Sequence, residues 1–150
     1  GDRDKLSDFT YISNLVDAVI AVEKALILKS PVEGEAYFVT NGEPIAFYDF
    51  IENLIVTIGY PRIQGKIPFW LAYSAAAVME GVDVLMGGTF NEDGLTRFSV
   101  KYMVTDHYYS IEKAYKDFGW KPAVTLVEGI KLTVNDLVAK GKVVKTSNIE

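Results

Sequence analysis

The sequence predicts an α/β fold with a βαβ unit and parallel strands, and three observations carry that prediction. Ala36-Tyr37-Phe38-Val39 is a continuous apolar run rich in β-formers, as expected of a strand covered on both faces of a parallel sheet. Phe47, Phe50, Ile51, Leu54, Ile55 and Ile58 recur at helical spacing, and Gly59 and Pro61 end the run. Asp8-Phe9-Thr10-Tyr11-Ile12 reads as a short strand. The helix after it is the crossover that brings residues 36–39 alongside.

The first helix runs over residues 13–28, with Ser13 or Asn14 as cap. Leu15, Val19, Val22 and Leu26 form one stripe, and Ala18, Ile20, Ala21, Ala25 and Ile27 fill most of the rest. A helix apolar nearly all round is placed in the interior. Asp17 reads as an acid favoured by the helix dipole or as a functional polar contact. Residues 30–34 connect to the strand at 36–39. Asn41-Gly42 marks a turn, and Pro44 cannot continue a ladder. Ala46 stands where Ser or Thr would cap the next helix, which weakens that cap by about 1 kcal/mol.

Residues 67–86, IPFWLAYSAAAVMEGVDVLM, could nearly span a bilayer by length. Glu80 and Asp83 argue against a span, at roughly 2.5–3.5 kcal/mol each near the membrane centre. A helix lining a cavity is favoured over an interfacial membrane helix, with Pro68 at its first position. Phe69, Trp70 and Tyr73 give it an aromatic face, either core packing or the wall of a site for a flat apolar ligand. A flexible loop over 87–94 and a short helix over 95–102 follow. Residues 103–109 look extended. Ser110 caps a helix that stops at Gly119, and Thr125 with Glu128 forms a capping box for the last helix, which ends near Gly141. Residues 1–141 form one domain and residues 142–150 a polar tail.

The 150-residue chain has a net charge of −5, which argues against a nucleic-acid partner. It has no cysteine, so disulfides and thiolate metal sites are excluded and a reducing compartment fits. The start, GDRDKLSD, is polar, carries no signal-peptide pattern and lacks Met, so it reads as a fragment or processed piece opening in a loop. No G-x-G-x-x-G or P-loop pattern is present. His107 and Asp106, adjacent on an extended segment, face opposite ways. Tyr109 and Lys113 match Tyr-x-x-x-Lys but straddle a helix start, whereas a catalytic pair needs both on one helix. Arg97 is either ion-paired with Glu92 or Asp93 at the surface or an anchor for a ligand carboxylate or phosphate.

Three pieces line up in order. They are Asp8-Phe9-Thr10-Tyr11-Ile12 with Asn14, Asp17 and Ala18; Gly34-Glu35-Ala36-Tyr37-Phe38-Val39-Thr40-Asn41-Gly42-Glu43-Pro44-Ile45; and Tyr109-Ser110-Ile111-Glu112-Lys113-Ala114 running on to Phe118-Gly119-Trp120-Lys121-Pro122. Together they resemble the C-terminal part of extended short-chain dehydrogenases. Within that superfamily they look most like the 3β-hydroxysteroid dehydrogenase group, including the sterol-4α-carboxylate 3-dehydrogenases.

The resemblance implies a helix-rich C-terminal part of an NAD(P)-binding Rossmann-type fold, with late parallel strands and the substrate lobe. The N-terminal nucleotide-binding half of the family carries the glycine-rich loop and the catalytic Tyr and Lys. Neither matches anything here, so no catalytic or cofactor-binding residue is expected in this chain and no NAD(P) bound by it alone. A sheet edge that this half should cover is expected to be exposed. Phe69, Trp70, Tyr73, Arg97 and Tyr102 fall in the region of the substrate lobe, for a sterol- or steroid-like molecule. The family's frequent membrane association implies peripheral contact through residues 67–86 and a cytoplasmic or endoplasmic-reticulum-associated location. Two other readings stay open: a non-catalytic lipid-binding or partner-completed module, and an extended short-chain dehydrogenase acting on a nucleotide-sugar.

Overall fold

The computed structural model describes residues 4–28, 31–88 and 94–144. Its order is β1 (Leu6–Ser7), α1 (Ile12–Ile27), β2 (Ile45–Ala46), α2 (Phe47–Ile58), α3 (Phe69–Leu85), α4 (Arg97–Tyr102), α5 (Glu112–Phe118) and α6 (Leu126–Ala139). This is a helix-rich α/β arrangement. α2 packs mainly on α6 and α3 on α4, while α1 contacts α5.

The parallel βαβ ladder does not form among the described residues. β1 pairs antiparallel with β2, Leu6 opposite Ala46 and Ser7 opposite Ile45. The one parallel link is an isolated bridge from Ser7 to His107. Residues 8–11 and 39–41 do lie side by side, but side chains join them. Thr10 Oγ1 donates to the Val39 carbonyl at 3.2 Å, Thr40 Oγ1 donates to Asp8 Oδ2 at 2.8 Å, and the Tyr11 amide donates to Asn41 Oδ1 at 3.0 Å. The β-forming run at 36–39 is therefore left without a ladder partner among the described residues.

The orientation of α1 also departs from its apolar pattern. The cap is Tyr11, without a side-chain cap bond, and the buried residues are Asn14, Ala18 and Ala25. Ile12, Leu15, Val16, Val19, Ile20, Leu26 and Ile27 face outward. Asn14 explains the rotation. Its Nδ2 donates to Asn41 Oδ1 and to the Val124 carbonyl, both at 2.8 Å, and its Oδ1 accepts from the Ala123 and Val124 amides at 3.0 Å. Hydrogen bonds of this number in a buried place fix a helix more sharply than a nonspecific apolar face can. Asp17 sits past the first turn and is exposed.

The small core beside this hub is Ala18, Ala114 and Trp120, backed by Tyr37, Val39 and Phe118. Phe118 meets Tyr37 edge-on at 5.0 Å. The Tyr37 hydroxyl donates to Asp117 Oδ2 at 2.8 Å. Partial burial first, and then this acceptor, push its pKa up to about 12.

Several helix ends match their signals. Gly59 and Gly119 close α2 and α5 in the left-handed conformation. Ala46 caps α2 without a side-chain bond. Ser110 Oγ accepts from the Glu112 amide at 3.2 Å, one residue ahead of the α5 N-cap, Ile111. Thr125 Oγ1 accepts from the Glu128 amide at 3.3 Å, and the amide of Leu126 is held by Glu43 Oε1 at 3.1 Å. Pro68 is the N-cap of α3, one place earlier than its sequence suggests. The short α4 carries a capping box between Thr96 and Ser99. No described helix is long and apolar enough to cross a membrane.

Candidate functional site

The lobe made by α2, α3 and α4 holds the candidate site. The connector before α3, residues 60–68, is exposed. It folds back along α2 because Gly59 and Pro61 end that helix. Between this connector and the facing helices lies a cavity of about 470 Å³, within the range of small-molecule sites. Its walls are Tyr48 of α2, Ile63 and Ile67 of the connector, Phe69 of α3, Val100 of α4 and Met103 just after it. Gln64 and Lys66 add polarity at the connector side. A second cavity of about 460 Å³ lies across Lys66, Ile67 and Phe69 and is also lined by Asp4 and Lys5.

Of the five site residues expected from sequence, Phe69 lines both cavities. Tyr73, one turn on, stacks on it with ring centroids 5.5 Å apart. Trp70 points away and is 67% exposed, so the aromatic face divides between two sides of α3. Tyr102 stacks on His107 at 3.9 Å and meets Phe47 edge-on at 6.5 Å. Arg97 is tied to Glu80. Its Nε donates to Oε2 at 2.5 Å and its amide to Oε1 at 2.7 Å. Glu92 and Asp93, the partners considered from sequence, lie outside the described residues, as do Thr89 and Asn91 of the loop, Ser30 and residues 145–150.

The electrostatics follow from these contacts. The Arg97 amide, and then its side chain, hold the Glu80 carboxyl below its ordinary value, while the carboxylate holds the guanidinium further in its charged form. Asp106 accepts from the Leu6 amide at 2.8 Å, and that bond holds its carboxyl low as well. His107 Nε2 is buried without a hydrogen-bond partner among the described residues. Tyr109 and Lys113 go separate ways. Tyr109 stacks on Phe38 at 4.1 Å, and Lys113 Nζ donates to Glu35 Oε2 at 2.5 Å and to the Ala36 carbonyl at 3.1 Å. No group of three or more metal-ligating side chains occurs among the described residues.

Sequence reasoning missed Tyr48, Lys66 and the Met103 wall. Their spacing carries no motif, and only the fold-back of the connector brings them together.

Residues 1–69 match the model of the 3-beta hydroxysteroid dehydrogenase/isomerase family. The chain is 36% identical over 131 residues to a 2-alkyl-3-oxoalkanoate reductase of Stenotrophomonas maltophilia, covering 87% of this chain and 39% of that protein. It is 33% identical over 135 residues to the decarboxylating sterol-4-alpha-carboxylate 3-dehydrogenase of Mus musculus, covering 89% and 37%. It is 36% identical over 140 residues to 3beta-hydroxysteroid-dehydrogenase/decarboxylase isoform 1 of Arabidopsis thaliana, covering 90% and 32%. The chain thus spans well under half the length of the curated relatives it matches. No solved structure gives a significant match. The cavity lobe and the Asn14 hub are therefore parts of a short-chain-dehydrogenase relative, and the chain belongs to the 3-beta hydroxysteroid dehydrogenase/isomerase family.

Proposed function

We propose that the chain supplies the substrate lobe of an NAD(P)-dependent oxidoreductase that interconverts a hydroxyl and a ketone on a large apolar molecule. The observation that carries this reading is the apolar-walled cavity of about 470 Å³ between the connector, α3 and α4. Two relatives are named for substrates that pair a carboxylate with an oxygen-bearing carbon two positions away. A β-keto or β-hydroxy acid with a bulky apolar body, steroid-like or long-chain, is the substrate class we assign. Phe69 touches it, Tyr73 and Tyr102 back the wall, and the Arg97–Glu80 pair holds α3 to α4 around it.

The described residues do not fit the dinucleotide. A pyrophosphate needs free backbone amides at an open strand-to-helix turn. The turns into α1 and α2 carry Tyr11 and Ala46 instead, and the Tyr11 amide is already taken by Asn41. In this reading the Rossmann-type nucleotide-binding half, with the Tyr and Lys of proton transfer, belongs to other residues of the whole protein. That half would also cover the outward apolar face of α1. The same face favours a second reading, a non-catalytic module completed by a partner chain.

The test uses the full-length protein carrying this chain. We expect NAD(P)H consumption with a 2-alkyl-3-oxoalkanoate, or NAD(P)⁺ reduction with a 3β-hydroxysterol carboxylate, and no turnover by the 150-residue chain alone. Absence of turnover with both substrates and both nucleotides would leave the second reading standing. Peripheral membrane contact through residues 67–86 is a separate proposal, supported by exposed Trp70, Val78 and Leu85. Vesicle co-sedimentation that Trp70→Ser leaves unchanged would count against it.

A further inference from the structure

We propose that Lys66 grips the carboxylate of the substrate and so selects the acid over neutral analogues, an inference that rests on the substrate class assigned above. Lys66 is the only formally charged residue lining the larger cavity, whose other walls are mainly apolar. It is exposed and also lines the second cavity, so the residue stands between the two. An apolar chamber with a single cation at its edge suits an apolar ligand with one anionic group.

The neighbouring cations are already engaged. Arg97 is held by Glu80. Lys5, in the second cavity, lies 3.6 Å from Asp106. Lys101 stands 5.6 Å from the centre of the Tyr73 ring. Among the described residues no acid pairs with Lys66, and none could come from its own stretch, because residues 53–79 contain neither Asp nor Glu. The one acid lining either cavity is Asp4, and it belongs to the second. An anion is therefore drawn to the larger-cavity side of Lys66 and away from Asp4. Gly65, just before Lys66, holds a left-handed φ of +94°. A lysine rather than an arginine fits a carboxylate that must shift as the apolar body settles, since ammonium is a compact charge on a flexible stem.

The test compares the full-length enzyme with Lys66→Ala and Lys66→Arg variants, using 2-hexyl-3-oxodecanoate and its methyl ester. We expect Lys66→Ala to raise KM for the acid about 10–100-fold, the range for a lost charge-assisted hydrogen bond. The methyl ester should change by less than about twofold, and Lys66→Arg should recover most of the acid's affinity. Added salt should weaken acid binding in the wild type more than in Lys66→Ala. Equal shifts for acid and ester, or none, in an enzyme that turns over the acid would overturn the inference while leaving the proposed function intact. Turnover of neither these probes nor a 3β-hydroxysterol carboxylate by the wild type would remove the proposed function and this inference with it.

Discussion

The end of the molecule around Asn14 and the lobe between α3 and α4 both join segments far apart in sequence, but with different forces. Around Asn14 the joints are directed hydrogen bonds. Asn14 is fully buried, Asn41 nearly so, and both Nδ2 groups donate to the Val124 carbonyl, at 2.8 and 3.0 Å. In the lobe, α3 buries Ala76 alone and α4 Val100 alone among their described residues. α3 and α4 are joined there by the contact of Lys101 with the Tyr73 ring and by the partly exposed Arg97–Glu80 ion pair. Directed buried bonds specify one arrangement, whereas sparse apolar contact leaves room for a cavity and for adjustment around a ligand. Rigidity and recognition are thus assigned to different parts of the fold.

The largest expected effect comes from breaking the hub. Asn14→Ala removes the partner of two amides, one carbonyl and Asn41 at a site with no solvent access. We expect a loss of about 3–4 kcal/mol, since several buried groups are left unsatisfied at once. Urea denaturation of the wild type and variant measures it, and a loss under about 1 kcal/mol would show that water replaces the side chain.

Gly129→Ala probes the same end through packing. In an open helix this change gains up to about 1 kcal/mol. Here the new Cβ would meet Tyr11 Cδ2 at 3.1 Å and Tyr11 Cβ and Cγ at 3.2 Å. Tyr11 cannot withdraw freely, because its amide is bound to Asn41. A net loss of about 1–2 kcal/mol is expected, and a thermal melt that rises instead would mean Tyr11 yields.

The lobe should respond the other way. Phe69 is 42% exposed and lines both cavities. Phe69→Ala should cost less than about 1 kcal/mol of stability yet weaken binding of 2-hexyl-3-oxodecanoate to the full-length protein about tenfold. Paired calorimetric titration and melting separate the two. A variant that melts much earlier with unchanged binding would assign Phe69 to the core instead.

The two ends also differ in how legible they were in the sequence. The Phe47–Ile58 helix, its weak Ala46 cap and the Gly59 and Gly119 stops follow from local chemistry, and all stand in the structure. The parallel strands do not, because ladder pairing depends on neighbours that no local pattern specifies. The apolar stripe of α1 lies outward among the described residues for a different reason. A single Asn with four hydrogen bonds outweighed the Leu and Val stripe, and a hydrophobicity pattern has no term for where a carboxamide finds partners. In the lobe, Phe69 was readable as an aromatic at the start of an apolar helix. Lys66 and Tyr48 were not, since 18 positions separate them and only the turn at Gly59 brings them to one cavity.

The smallest effect tests the ion pair that joins α3 to α4. The bond from the Arg97 amide, followed by its side chain, holds the Glu80 carboxyl below its ordinary value of 4.5. A carboxyl depressed in the folded state stabilises the fold above its unfolded pKa, and that contribution is lost as pH falls through the lower, folded value. The pair is therefore at full strength at neutral pH and fades only below about pH 4.5. Arg97→Ala removes the side-chain contact but keeps the amide bond, so the Glu80 pKa should rise only part of the way toward the ordinary value. Carbon-detected NMR titration of the Glu80 carboxyl reads this directly. Because both side chains are partly exposed, added salt should shrink the difference between wild type and variant. A Glu80 pKa that stays put in Arg97→Ala would leave the backbone amide as the whole cause and the guanidinium free for the ligand.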